Sequence, residues 1–364
     1  MSDFKAIILA GGSGERFWPL STPEKPKQFL NVFGGDSLIR QSVRRLQGLV
    51  KPENVFVITS KALVAATRRE LPEIPKANIV GEPMRRDTGA AVALGVGLAS
   101  LGSHRVMIES SCEPLIVPNA SSDTNDSGDT NDSNGSRGSD DTILGFFPSD
   151  QLANNPAKFR KTVRTAIATA KKSASIVTIG IRPEYPATQF GYVNPKSGRF
   201  VEKPNERKAK EYLKKGYLWN AGMFIGCAGT FKAAFAEHAP VLLPLAASSV
   251  SRLASFYESL PRISFDFAVM EKLPDVKVVK GDFGWDDVGS YGAFDKYFPH
   301  DSHGNVREGP CTVVEADGNI CVARSARISL LGVKNLVVVT TPDYVLVADK
   351  GRVAEMKKLF VRQR

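Results

Sequence analysis

Short apolar runs alternate with stretches of helical spacing along the first hundred residues. Phe4–Ala10 (FKAIILA) is apolar almost throughout and stops at Gly11-Gly12, so it reads as a buried strand feeding a glycine loop. Residues 37–50 place Leu38, Ile39, Val43, Leu46 and Leu49 on one helical side. A second buried strand is predicted over 54–59, and helices over 62–71 and 88–101. This alternation predicts βα units and a mainly parallel sheet with helices on both faces.

The pattern breaks at 118–141 (PNASSDTNDSGDTNDSNGSRGSDD), which carries almost no apolar residue. Such a tract has too little surface to bury against its ordering entropy, so a disordered insertion is predicted. The sheet resumes at 142–147 and stops at Pro148-Ser149-Asp150. A helix is expected over 156–172 and a strand over 175–180, with shorter strands within 189–194, 199–201 and 219–225. Helices over 230–237 and 242–259, a strand at 276–279 and a helix over 288–297 follow. Past about residue 301 the texture changes. Short β-rich pieces (311–315, 319–323, 327–331, 336–340, 345–348) come at close intervals with turn residues between them, which predicts a separate small all-β unit. The expected organisation is a domain over 1–300 and a second over 301–364. Residues 350–364 have the composition of a basic helix, a candidate surface for a homodimer formed through the C-terminal domain.

Composition narrows the function classes. Hydrophobic residues make up 42% and charged residues 24% of the 364, as in ordinary soluble domains. No run approaches the ~20 apolar residues needed to cross a bilayer, and no basic segment with a following apolar stretch opens the chain, so neither a membrane partner nor a signal peptide is expected. Four cysteines without CxxC spacing and four histidines argue against a zinc site and for reduced, cytoplasmic thiols. The net charge of +10 suits polyanionic substrates or a basic solvated surface. It does not indicate nucleic acid, because the Lys and Arg are scattered and no zinc-finger, helix-turn-helix or RRM signature is present.

The loop after the first strand, Gly11-Gly12-Ser13-Gly14-Glu15-Arg16, is built to turn backbone N–H groups toward an anion. It is not a dinucleotide fingerprint, since Phe17 stands where a GxGxxG from Gly12 needs its third glycine, and no GxxxxGK[ST] is present. The whole stretch 9–30, LAGGSGERFWPLSTPEKPKQFL, resembles the signature of the sugar-nucleotide pyrophosphorylases, specifically the bacterial-type mannose-1-phosphate guanylyltransferases. The resemblance runs in order from about Lys5 to Lys350 and leaves out only the insertion. It implies a Rossmann-like nucleotidyltransferase domain and a small left-handed β-helix-like domain. Longer relatives carry a further isomerase domain, so a single activity is expected here.

The implied reaction joins GMP from GTP to mannose 1-phosphate. The sugar phosphate oxygen attacks the α-phosphorus and pyrophosphate leaves. Because the nucleophile is already ionised, the demand is for alignment and charge neutralisation by Arg, Lys, backbone amides and Mg²⁺. In the family the loop wraps the triphosphate, which assigns Leu9, Ala10, Gly11, Gly12, Ser13, Gly14 and Glu15 to the nucleotide and makes Arg16 and Lys27 its phosphate-holding cations. Asp150, after a predicted strand in Phe147-Pro-Ser-Asp-Gln, and Asp287, before Val-Gly-Ser, are the implied metal pair, with Ser149 beside the nucleotide. Gln151 stands where the family more usually has His. Glu82, Arg86, Asp87 and Thr88 resemble a segment near the base, where a carboxylate can accept from guanine N1–H and N2–H₂; Asp87-Thr88 equally suits a helix cap. Gly191, Glu202, Lys203 and Asn220 lie in matches to the sugar pocket, Lys203 being placed for the sugar phosphate. In Ser264-Phe-Asp-Phe-Ala-Val-Met-Glu-Lys, the residues Phe265, Phe267, Val269 and Met270 read as mostly core. The same motifs admit a heptose or glucose 1-phosphate or another nucleotide. A catalytically inert sugar-nucleotide-binding homologue is the alternative of another class.

Overall fold

The computed structural model describes residues 4–12, 14–100, 140–247 and 253–362. The expectation of a disordered insertion therefore falls almost wholly outside the described residues. Only its last two positions are described, and there Asp140 pairs with Lys232 at 2.6 Å. The chain forms two compact units.

The first unit (residues 1–11, 42–149 and 153–285) is built on a sheet that has nine strands among the described residues. Its main path runs Lys277–Gly281, Val177–Ile181, Leu218–Cys227, Ile143–Pro148, Phe4–Ala10, Val55–Ser60, Ile79–Glu82. All of these neighbours pair in parallel except Leu218–Cys227, which is antiparallel to both of its neighbours on this path. The runs of Val, Ile, Phe and Leu in the central strands are buried but for a partly exposed Leu9, as expected where helices cover both faces. Ile79–Glu82 is a strand that apolar patterning misses because only Ile79 and Val80 are strongly apolar. The helix Glu206–Lys214 escapes the patterning too, since it buries only Ala209 and Tyr212.

The register delivers chemistry to one edge. Leu9 pairs with Pro148, Ala10 with Thr59, and Ser60 with Glu82, so Gly11, Ser149 and Glu82 all lie at the carboxyl ends of parallel strands. Leu218–Cys227 runs the other way, and its early residue Asn220 pairs with Gly180 near the carboxyl end of Val177–Ile181. Asn220 thus reaches the same edge, where ligands of α/β sheets bind.

The second unit comprises residues 12–41, 150–152 and 286–364. It contains the stretch 301–364 expected as a second domain and adds earlier segments to it. The reason is apolar burial: Phe17, Trp18, Leu30 and Phe33 pack into one core with Val288, Tyr291, Phe294, Val306, Ile320 and Val337. Its C-terminal part is a ladder of short parallel strands. Val306–Glu308 pairs with Ile320–Ala323 and that with Leu336–Thr340, while Cys311–Val314 pairs with Ile328–Leu331. A final antiparallel strand, Val345–Asp349, closes the ladder. Asn305 Oδ1 accepts from the N–H and Nδ2 of Asn319, and Asn319 Oδ1 accepts from Leu336 N–H, so stacked asparagines satisfy the turns.

Two helices are shorter than the periodicity predicts. Leu38–Arg44 stops early, although Leu46 and Leu49 remain buried in the turns beyond it. The helix expected over 288–297 is only Gly292–Tyr297, because Val288 adopts a left-handed backbone, φ 46°. Phe267 is 43% exposed, against the reading of it as core, whereas Phe265, Val269 and Met270 are buried. Among the described residues no helix is long and apolar enough to cross a membrane.

Candidate active site

The second unit gathers the glycine loop, two cations and two carboxylates. Gly14 has φ 64° and crosses so close to Lys27 that a Cβ there would collide with the Lys27 side chain and sit 2.5 Å from its backbone nitrogen. This approach and the left-handed φ both call for glycine. Ser21 Oγ closes the loop by donating to Gly14 O at 2.6 Å. Lys27 is almost fully buried, yet its ammonium is matched: Nζ lies 3.1 Å from Asp150 Oδ2 and donates to the Asp287 carbonyl at 2.6 Å. Gly12 faces the same carboxylate, for a Cβ on it would stand 3.9 Å from Asp150 Oδ2. Arg16 is exposed, and its guanidinium and the Asp287 carboxylate both border Gly289, 3.3 and 3.2 Å from where a Cβ would be. The structure therefore brings together Gly12, Gly14, Arg16, Lys27, Asp150 and Asp287, which are up to 275 positions apart in sequence. Ser13 lies outside the described residues, and Glu15 is the first residue of a 3₁₀ turn, Glu15–Phe17.

Asp286 and Asp287 have different tasks. Asp286 Oδ1 accepts from Val288 N–H at 2.7 Å, and Oδ2 pairs with Lys296 at 2.8 Å. The hydrogen bond from Val288 N–H supports that residue at its positive φ, a rare conformation for a β-branched residue. Strain of this kind is kept where the surroundings over-determine it, commonly at functional sites. Asp287 points into the group of charges instead. Burial raises its pKa, Lys27 opposes the rise, and Asp150 adds to it.

In the first unit, Glu82 is buried at the end of its strand and accepts from Tyr257 Oη at 3.2 Å. Burial pushes its pKa up to about 7, the Tyr257 hydrogen bond pulls it back, and Asp87 raises it. A Cβ on Gly11 would lie 3.7 Å from Glu82 Oε2, so the carboxyl adjoins Gly11 at the end of the first strand. Tyr257 is not visible as a site residue in the sequence, since nothing in Phe256-Tyr257-Glu258 marks it. The Arg86 guanidinium donates to the carbonyls of Tyr257 (2.6 Å) and Glu258 (2.9 Å), and Thr88 Oγ1 accepts from Phe265 N–H at 2.9 Å. Both side chains tie backbone segments together. Asp87 has φ 64° and accepts from Thr88 N–H, opening the helix Asp87–Ser100. Thr59 Oγ1 donates to Ala10 O at 3.1 Å and Ser149 N–H to Leu9 O at 3.1 Å, which fixes the strand ends.

The four residues expected at the sugar also meet in this unit. Asn220 N–H donates to Gly191 O at 2.8 Å, and a Cβ on Gly191 would lie 2.5 Å from Glu202 Oε2. Glu202, its side chain only 6% exposed, pairs with Lys203 at 2.9 Å. Lys203 has φ 43°. Asp266, which stands between two aromatic residues and carries no signal of its own in the sequence, accepts from Asn220 Nδ2 at 2.9 Å.

Residues 5–111 and 131–303 match the family described as Nucleotidyl transferase, and residues 309–363 match the MannoseP isomerase/GMP-like beta-helix domain. A mannose-1-phosphate guanylyltransferase of Klebsiella pneumoniae is 32% identical over 98% of this chain and 74% of its own length. The xanthan biosynthesis protein XanB of Xanthomonas campestris pv. campestris is 32% identical over 99% of this chain and 73% of its own. A solved structure from Thermus thermophilus, described as a mannose-1-phosphate geranyltransferase, superposes with a TM-score of 0.80 at 32% identity, covering 99% of both chains. With both compact units accounted for, this chain belongs to the nucleotidyl transferase family, and within it to the mannose-1-phosphate guanylyltransferases.

Proposed function

We propose that the chain transfers GMP from GTP to α-D-mannose 1-phosphate, giving GDP-mannose and pyrophosphate. The observation that carries this reading is the meeting of Arg16 and Lys27 with Asp150 and Asp287 beside a glycine loop. The attacking phosphate oxygen is already an anion, so no general base is needed. What the α-phosphorus requires is neutralisation of crowded negative charge as the pyrophosphate departs. In this reading Arg16 and Lys27 hold the phosphates, and loop amides from Gly12 and Gly14 add dipoles. Glu82 accepts from the guanine edge, while Glu202 and Asn220 take sugar hydroxyls and Lys203 the sugar phosphate.

The residues fit a divalent cation. Asp150 and Asp287 are hard oxygen donors whose mutual repulsion contributes to the raised pKa of Asp287. Among the described residues no group of three or more His, Cys, Asp or Glu is placed to hold an ion. Two carboxylates completed by substrate phosphates is the arrangement Mg²⁺ prefers. When bound, Mg²⁺ would supply Lewis-acid stabilisation of the α-phosphoryl oxygens. The same reading takes the cytoplasm as the location and a homodimer through the C-terminal part of the chain as the assembly; the free cysteines at 227, 311 and 321 and the basic stretch after Lys350 support these points.

The test is a matrix of GTP, ATP and dTTP against mannose, glucose and heptose 1-phosphates, read by pyrophosphate release with and without chelator. GTP with mannose 1-phosphate should give the highest kcat/KM, and excess chelator should abolish turnover. A higher kcat/KM for another pair would reassign the substrates, and no turnover of any pair would favour a binding protein.

A further inference from the structure

Asn220 is held on every side. Its carboxamide Oδ1 accepts from Gly222 N–H at 3.0 Å and lies 2.8 Å from Thr178 Oγ1, whose single proton it shares with the Met223 carbonyl at 3.1 Å. Its Nδ2 donates to Asp266 Oδ1 at 2.9 Å. A backbone N–H can only donate, so the Gly222 contact settles which end of the carboxamide is oxygen. The amide has two acceptor positions and two N–H donors. Both acceptor positions face a donor and one N–H is engaged, which leaves a single N–H whose direction its partners fix.

Asp266 opens a π-helical turn, Asp266–Met270, in which Ala268, Val269 and Met270 are buried. Such turns occur mostly as single insertions, often at functional sites. Burial, followed by the charge of Glu202, pushes the pKa of Asp266 up to about 7. The charged groups around it are Glu202, Lys203 and Asp87, and Glu271 accepts from the Glu202 N–H at 2.6 Å. A carboxyl buried in this company costs desolvation that an apolar side chain would avoid. Its return is the orientation of Asn220.

We propose that Asp266 is a positioning residue for the sugar end of the reaction: it locks the Asn220 carboxamide so that the remaining Nδ2–H meets one sugar hydroxyl, and thereby sets the discrimination between sugar 1-phosphates that differ at one carbon. The inference rests on the assignment of Gly191, Glu202, Lys203 and Asn220 to the sugar 1-phosphate.

Steady-state kinetics with GTP and with mannose or glucose 1-phosphate, on the full chain and its Asp266→Ala, Asp266→Asn, Thr178→Val and Asn220→Ala variants, test it. Asp266→Ala should raise KM for mannose 1-phosphate and lower the mannose-to-glucose ratio of kcat/KM, each by about 10-fold, the size of one lost oriented hydrogen bond. kcat at saturating sugar and KM for GTP should stay within about twofold of the parent, as expected when a binding contact alone is lost. Asn keeps an acceptor for Asn220 Nδ2, so Asp266→Asn should recover most of the ratio. Thr178→Val, which frees the opposite side of the amide, should shift the ratio in the same direction and keeps the test open should Asp266→Ala fail to fold. If Asn220→Ala shifts the ratio while Asp266→Ala and Thr178→Val leave it unchanged, the role of Asp266 is overturned alone. If Asn220→Ala and Asp266→Ala change KM for GTP and leave the sugar KM untouched, the sugar assignment falls and the proposal with it.

Discussion

Lys27 Nζ stands 3.1 Å from Asp150 Oδ2, an ion pair between a nearly buried ammonium and a carboxylate that is one-third exposed. The same ammonium donates to the Asp287 carbonyl, so one cation bridges both acidic segments. Asp287→Asn should keep the fold and lower turnover by at least ~100-fold, about 2.7 kcal/mol of transition-state stabilisation. Because burial and Asp150 disfavour the charged form of Asp287, the neutral replacement should not lower Tm at neutral pH. Pyrophosphate release and a thermal melt on the same preparation check this; near-normal turnover would remove Asp287 from the mechanism.

Gly14 is set by contact with Lys27 as well as by its φ of 64°. Gly14→Ala should displace Lys27 and cut kcat/KM for GTP and for ATP by similar factors, at least ~10-fold, since the triphosphate is common to both and strained Ala at positive φ costs ~1–2 kcal/mol. A drop for GTP alone would place this contact at the base instead of the phosphates.

Asp286 braces Val288 through Oδ1 and Lys296 through Oδ2. Without the brace, Val288 should leave its left-handed backbone and Asp287 should lose its orientation. Asp286→Ala is expected to raise the Mg²⁺ concentration for half-maximal activity several-fold, while Asp286→Asn, which keeps an acceptor for the Val288 N–H, stays near the parent. A magnesium titration of both variants decides it. Equal behaviour of Ala and Asn would show that only the charge of Asp286 matters.

Glu82 titrates near neutrality, with its pKa pushed up to about 7 by burial. A carboxyl whose folded pKa lies above its unfolded value stabilises in its protonated form. That contribution is fully present below the ordinary carboxylate range, about 4.5, and is lost as pH rises through about 7. Its upper bound follows from about 1.36 kcal/mol per pKa unit, so roughly 3 kcal/mol. Denaturant unfolding from pH 5 to pH 8 should therefore show a smaller loss of stability in Glu82→Gln than in the parent. The same variant should lower the GTP-to-ATP ratio of kcat/KM, which Arg16→Ala should leave unchanged. If instead Arg16→Ala shifted that ratio and Glu82→Gln did not, the phosphate and base assignments would be reversed.

The sequence by itself determined most of the strand and helix succession of the first unit and the glycine loop, and its family resemblance pointed to Arg16, Lys27, Asp150 and Asp287 as candidates. Those features are local: apolar runs and helical periodicity report burial, and the loop and its flanking motifs are contiguous. The tertiary structure decided what depends on partners far along the chain. It joined residues 12–41 to the C-terminal β ladder through a shared apolar core, which no linear boundary could express. It separated Asp286, held by Val288 and Lys296, from Asp287, though they are neighbours of one residue type. It committed Arg86 to two backbone carbonyls, exposed Phe267, and revealed Tyr257 and Asp266 as the partners of Glu82 and Asn220. Periodicity records how often a position is buried, whereas a hydrogen bond between residues 46 or 175 apart depends on strand register and on where a turn gains one extra residue.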